Sequence, residues 1–97
     1  INKTRPAVIV SNDTLGKLPL KIIVPITTWD EKFKQADWHV FIEANRKNGL
    51  VKDSSADTFQ VRSISERRLV RQLGKLEYEE MQQIQNGLLL SLDISPI

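Results

Sequence analysis

Few side chains in this sequence are able to do chemistry. It has no cysteine and one histidine, His39, which excludes thiolate nucleophiles, disulfides and Cys-based zinc or iron–sulfur sites and argues against an all-protein catalytic zinc centre. Histidine is a residue type suited to acid–base work, although a lone histidine such as His39 on a strand is more often structural. Arg5 stands at the entrance of an apolar run, and Thr27 and Thr28 close a second run, where such hydroxyls usually bond to backbone. Gln60 and Arg62 are two residues apart, so on a strand they share one side. Trp29, Phe33 and Trp38 offer rings on which unpaired bases can stack. The basic group Arg67, Arg68 and Arg71 reads first as a solvated helical surface and only second as a phosphate track.

These residues need elements to position them. With 97 residues, 40% hydrophobic and 27% charged, the chain fits one soluble globular domain around a single core. No apolar stretch approaches the roughly 18–20 residues that span a bilayer, and the basic-then-apolar start of a signal peptide is missing, so a cytoplasmic location without membrane contact is expected. Residues 1–75 hold all 14 Lys and Arg against eight acids, and residues 76–97 hold four acids and no base. A basic body with an acidic tail is compatible with a polyanionic partner such as nucleic acid.

Pro6-Ala7-Val8-Ile9-Val10-Ser11 reads as a buried strand that ends at Asn12-Asp13. Leu18 to Ile26 reads as a second, with Pro25 marking an edge, a bulge or its limit. Residues 29–37 read as a partly mobile connection. Trp38, Val40 and Ile42 then alternate with His39, Phe41 and Glu43, which puts the first three toward the core. Asn45-Arg46-Lys47-Asn48-Gly49 is a turn. A strand is predicted from Thr58 to Ile64, with Thr58, Gln60 and Arg62 on one side. Ser65 is a candidate N-cap for a short helical segment. Met81, Ile84, Leu88 and Leu92 recur at spacings of 3 and 4 from Glu77 onward, the pattern of an amphipathic helix. Glu77 is an unusual cap, and Gly87 costs about 1 kcal/mol relative to alanine within a helix. The result is a small, mostly antiparallel sheet or barrel closed by a terminal helix.

Four stretches in order carry a resemblance: Thr4-Arg5-Pro6-Ala7-Val8-Ile9-Val10-Ser11-Asn12-Asp13; Val24-Pro25-Ile26-Thr27-Thr28; Asp53-Ser54 followed by Gln60-Val61-Arg62-Ser63-Ile64; and Leu73-Gly74-Lys75-Leu76 leading to Glu79-Glu80-Met81. Together they resemble the MazF/PemK family of toxin–antitoxin endoribonucleases over nearly the whole chain, 1–97, taken as one toxin domain. The resemblance implies an SH3-like small β-barrel with helices and a homodimer that cuts single-stranded RNA at short motifs. It also implies neutralisation by a cognate antitoxin, no metal or other cofactor, and 2′,3′-cyclic phosphate and 5′-hydroxyl products. By position, Arg5 and Thr27 match the family's catalytic pair, and Gln60 and Arg62, with Thr28, match residues that hold RNA. Family members usually carry a further strand and a Gly-Ser-Glu-like loop before the Arg-Pro segment, whereas this sequence begins four residues before Arg5. Phe59 stands where several relatives have Asp or Glu. The competing expectation is a catalytically silent barrel that docks an antitoxin or a protein target such as gyrase.

Overall fold

The computed structural model describes residues 4–95. Five strands, β1 (Ala7–Ile9), β2 (Leu20–Thr28), β3 (His39–Ile42), β4 (Ser54–Asp57) and β5 (Arg62–Ser65), precede one helix, α1 (Tyr78–Ser91). All pairings are antiparallel, in the order β1-β2-β4-β3, with β5 also on β2. The architecture is therefore mostly sheet with a C-terminal helix. The closed barrel implied by the resemblance is not formed, because closure needs the outer strands to pair and β1 and β3 do not do so among the described residues.

β2 organises the sheet. Its N-terminal half pairs with β5 through Leu20 to Ile23, and its C-terminal end pairs with β4 through Ile26 to Thr28. Pro25 lies inside this nine-residue strand, not at its limit, and the register explains why it is tolerated. Toward β1 the bonded pairs flank it, with Val10 N–H donating to Ile22 C=O and Ile26 N–H to Pro6 C=O. At Pro25 an N–H would point to the opposite edge, where β5 has ended and β4 has not begun. No ladder bond is lost there.

The strand predicted over residues 58–64 is interrupted. Thr58–Gln60 forms a 3₁₀ turn between β4 and β5. β4 pairs Ala56 with Ile26 whereas β5 pairs Arg62 with Ile23, and the turn takes up the extra residues between these two registers. Asp57 caps it by accepting the Phe59 N–H at 3.2 Å. Thr58 is buried and its hydroxyl donates to Trp38 C=O at 2.7 Å. The expected alternation of Thr58, Gln60 and Arg62 on one strand face therefore does not hold.

Residues 29–37 contain a 3₁₀ turn, Glu31–Gln35, which Asp30 caps by accepting the Lys32 N–H. The core consists of Val8, Val24, Ile26, Val40, Ile42, Ala56 and, from α1, Ile84, with Met81 and Leu88 packed against it. Trp38 is 40% exposed and outside that group; the helix supplies the apolar cover expected from it. Leu92 lies past the last helical residue and is exposed. The Glu77 start is made good by Glu80, whose carboxylate accepts the Glu77 N–H at 2.9 Å. Ser65 does cap the turn Glu66–Arg68, accepting the Arg67 N–H.

Candidate active site

Side chains directly opposite one another on antiparallel strands share a sheet face. Ala7 lies opposite Pro25 and Ile26 N–H bonds to Pro6 C=O. One further step along this ladder sets Arg5 against Thr27. Both are exposed, at the end of β2 where the chain leaves the sheet. Thr27 is opposite Ser55, and Ser55 is opposite Phe41, so these three form one row across β2, β4 and β3. Arg62 is exposed on β5 opposite Ile23, two alternations along β2 from Thr27 and on the same nominal face.

Gln60 reaches this face by another route. Its amide donates to Asp57 Oδ2 at 2.8 Å, and Asp57 is opposite His39 on the face of Ser55. Thr28 is not brought in: it pairs with Ser54 on the alternate face, beyond buried Ile26. Of the five candidates, the register gathers Arg5, Thr27 and Arg62 on one face, the turn adds Gln60, and Thr28 is set apart.

The structure also connects His39 to this group. Its Nδ1 lies 2.7 Å from Ser55 Oγ and its Nε2 3.9 Å from Asp57 Oδ2, and Phe33 stacks on the imidazole with centroids 3.8 Å apart. Ser55, His39, Asp57 and Gln60 thus form a polar chain that joins the Thr27–Ser55–Phe41 row at Ser55. Ser55 is fully buried, so despite the Ser-His-Asp composition its hydroxyl has no access to a substrate. The missed signal was Ser54-Ser55-Ala56-Asp57, whose residue types are poor strand formers in isolation yet occupy a strand buried along its whole length.

The aromatic residues lie at the same end of the sheet. Trp29 N–H bonds to Asp53 C=O at 3.0 Å and so continues the β2–β4 ladder past Thr28. The Trp29 ring meets Phe41 at 5.0 Å and Phe33 at 5.7 Å, both edge-to-face. Trp29 Nε1 donates to Glu31 Oε1 at 3.1 Å. The Glu31 carboxyl is held below its ordinary range first by the hydrogen bond from Lys34, then by the one from Trp29.

The arrangement is a small antiparallel sheet with one C-terminal helix, whose exposed residues include Arg5, Thr27 and Arg62. Residues 1–92 match the PemK-like, MazF-like toxins of type II toxin–antitoxin systems, and the chain belongs to that family. Endoribonuclease MazF9 of Mycobacterium tuberculosis is 34% identical over 97 residues, which cover 96% of this chain and 81% of that protein. Among solved structures, Mycobacterium tuberculosis toxin MazF-mt6 superposes with a TM-score of 0.83 at 23% identity, covering 99% of this chain and 93% of its own. A MazE–MazF structure from Deinococcus radiodurans gives 0.77 at 22% identity, covering 94% and 87%. A mycobacterial endoribonuclease solved with its cognate antitoxin gives 0.76 at 17% identity, covering 96% and 84%.

Proposed function

We propose that this chain, a MazF-family endoribonuclease toxin, cuts single-stranded RNA by attack of a ribose 2′-hydroxyl on the adjacent phosphorus, leaving 2′,3′-cyclic phosphate and 5′-hydroxyl ends without a metal ion. The substrate supplies the nucleophile, so the protein's task is to orient the phosphate and stabilise charge as it grows in the phosphorane. The Arg5 guanidinium does this with permanently charged, forked donors. The Thr27 hydroxyl donates to a phosphate oxygen or orients the attacking hydroxyl; it is too weak a base to act alone. Gln60 and Arg62 hold the strand beside the reacting phosphate, and Thr28, on the alternate face, takes no part. The observation that supports this reading is the β1–β2 register, which, extended one residue past the Pro6–Ile26 bond, brings Arg5 opposite Thr27.

The working unit in this reading is a cytoplasmic homodimer inhibited by a cognate antitoxin. The change of partner along β2 supports an SH3-like, barrel-type curvature of its sheet. Among the described residues no helix is long and apolar enough to cross a membrane.

The test is incubation with single-stranded RNA in excess chelator, followed by end analysis. Cyclic-phosphate ends are expected from the native chain. Arg5→Ala and Thr27→Ala are each expected to lower kcat by about 10²–10³-fold, as for the loss of one transition-state donor. Undiminished cutting by both variants refutes the assigned roles. A folded dimer that cuts no RNA refutes the nuclease reading and leaves the binding module.

A further inference from the structure

We propose that Phe41, buttressed edge-on by Trp29, is the stacking surface for an unpaired base next to the scissile phosphate, and thus a specificity-determining residue. The inference rests on the single-stranded RNA reading above. Phe41 shares the Thr27–Ser55–Phe41 row, which at about 4.8 Å per strand sets its backbone about 10 Å from that of Thr27. Trp29 is two residues beyond Thr27 on a continued ladder, about 6.7 Å along the strand. A phosphate seated at Thr27 therefore has this aromatic pair within reach of its neighbouring base.

Phe41 is 44% exposed although apolar, and the structure holds it in place. Trp29 abuts it at 84°, Phe33 abuts Trp29, and the Trp29 indole is tethered to Glu31. A fixed, half-open ring is what stacking needs, because little side-chain entropy remains to be lost on binding. Beside it, between β3 and α1, lies a hollow of about 350 Å³ lined by Asp37, Phe41, Gln83 and Asn86 among others. It gives a splayed base room, and carboxylate and amide groups for its edge. The occupant is a nucleobase, because the face that carries Phe41 continues directly into the residues that face the phosphate chain.

The probes are uncleavable 2′-O-methyl 12-mers of mixed sequence, compared with the same backbone made fully abasic. Binding to the full chain is measured by anisotropy alongside cleavage of ordinary RNA. The native chain is expected to prefer the base-bearing strand. Phe41→Ala and Phe41→Leu are each expected to reduce that preference by about 5- to 150-fold, the range for loss of one stacked base, and Phe41→Trp to retain it. Phe41→Leu keeps apolar bulk without a π face, so a loss confined to unfolding is excluded by an unchanged circular dichroism melt. An unchanged preference in both folded variants overturns the proposal, as does a change in oligomeric state at constant preference, which assigns Phe41 to a contact between copies. If the native chain prefers base-bearing strands through Phe41 yet cuts no RNA, the nuclease reading fails and the stacking surface stands. If it shows no preference, the stacking surface fails whatever the cleavage result.

Discussion

Gly87 sets two physical effects against each other, and the structure decides between them. In the middle of α1, glycine costs about 1 kcal/mol relative to alanine, so helix propensity alone predicts that Gly87→Ala stabilises the protein. However, a Cβ at this position would lie 2.8 Å from Thr58 Cγ2 and 2.9 Å from Thr58 Oγ1, closer than such atoms approach. Thr58 cannot turn aside cheaply, because its hydroxyl donates to Trp38 C=O at 2.7 Å and lies 3.0 Å from Ser91 Oγ. Overpacking a rigid contact costs about 1–3 kcal/mol, and breaking a buried hydrogen bond costs about 1–3 kcal/mol. If the helix shifts instead of Thr58, only the first cost applies. Against the gain of about 1 kcal/mol, the first cost alone leaves a net loss of about 0–2 kcal/mol and both together about 1–5 kcal/mol, and the two ranges overlap at a net loss of about 1–2 kcal/mol. For a domain of this size that lowers Tm by about 4–16 °C.

The assay is thermal and urea unfolding followed by circular dichroism, at one protomer concentration because self-association shifts apparent stability. The partner variant Thr58→Ser removes the methyl that Gly87→Ala would strike. The double variant should lose less than the sum of the two singles, by about 0.5–2 kcal/mol of coupling. A rise in Tm for Gly87→Ala, or strict additivity in the cycle, refutes the contact argument and leaves propensity as the governing term. Because the turn under Gly87 carries Gln60, Gly87→Ala is also expected to weaken RNA binding.

Ile84→Ala, at the one fully buried side chain that α1 gives the core, is expected to destabilise by about 2–5 kcal/mol in urea unfolding. Glu80→Ala removes the acceptor for the Glu77 N–H and should cost about 1 kcal/mol. Glu80→Gln keeps an acceptor and should cost clearly less, and equal losses would refute the cap. Because the Glu31 carboxyl is held below its ordinary range, its contribution is present above that range and lost as pH falls through the depressed value. In a Trp38→Phe background, Trp29 emission should therefore shift only as pH drops below the ordinary carboxylate range. Glu31→Gln should abolish that step, and a step at higher pH would contradict the assignment.

Periodicity made α1 legible, since Met81, Ile84 and Leu88 at spacings of 3 and 4 all turn inward in the structure. It also made the core side of β3 legible at Val40 and Ile42. It failed at Trp38, because position on an alternating strand says which face a residue takes but not whether another element covers it there. β4 was illegible for a different reason. Four small or acidic residues carry no apolar signal, and their burial comes from their place between β2 and β3. Residues 29–37 looked like a loop by composition, yet three aromatic contacts pack them, one between Trp29 and Phe33 and two that join these residues to Phe41 and His39 on β3. The nearness of Arg5 to Thr27 is inferred by extending the β1–β2 register past the Pro6–Ile26 bond, and one sequence does not reveal that register.

The role of the acidic side chain that relatives place before Gln60 can be argued from the same geometry. Here that position is Phe59, 68% exposed, and it accepts no proton. Asp57, two residues earlier, is a carboxylate on this face. It is engaged three times over: it accepts the Phe59 N–H at 3.2 Å and the Gln60 amide at 2.8 Å, and it faces His39 Nε2 at 3.9 Å. A carboxylate with these partners and little exposure acts as an anchor for the turn and for Gln60, and it keeps the imidazole oriented toward Ser55. Asp57→Asn preserves the shape and an acceptor for the Phe59 N–H while removing the charge. If Asp57 positions Gln60, this variant raises KM more than it lowers kcat and leaves the pH–rate profile unchanged. Loss of a limb from that profile would show instead that the carboxylate takes the proton itself.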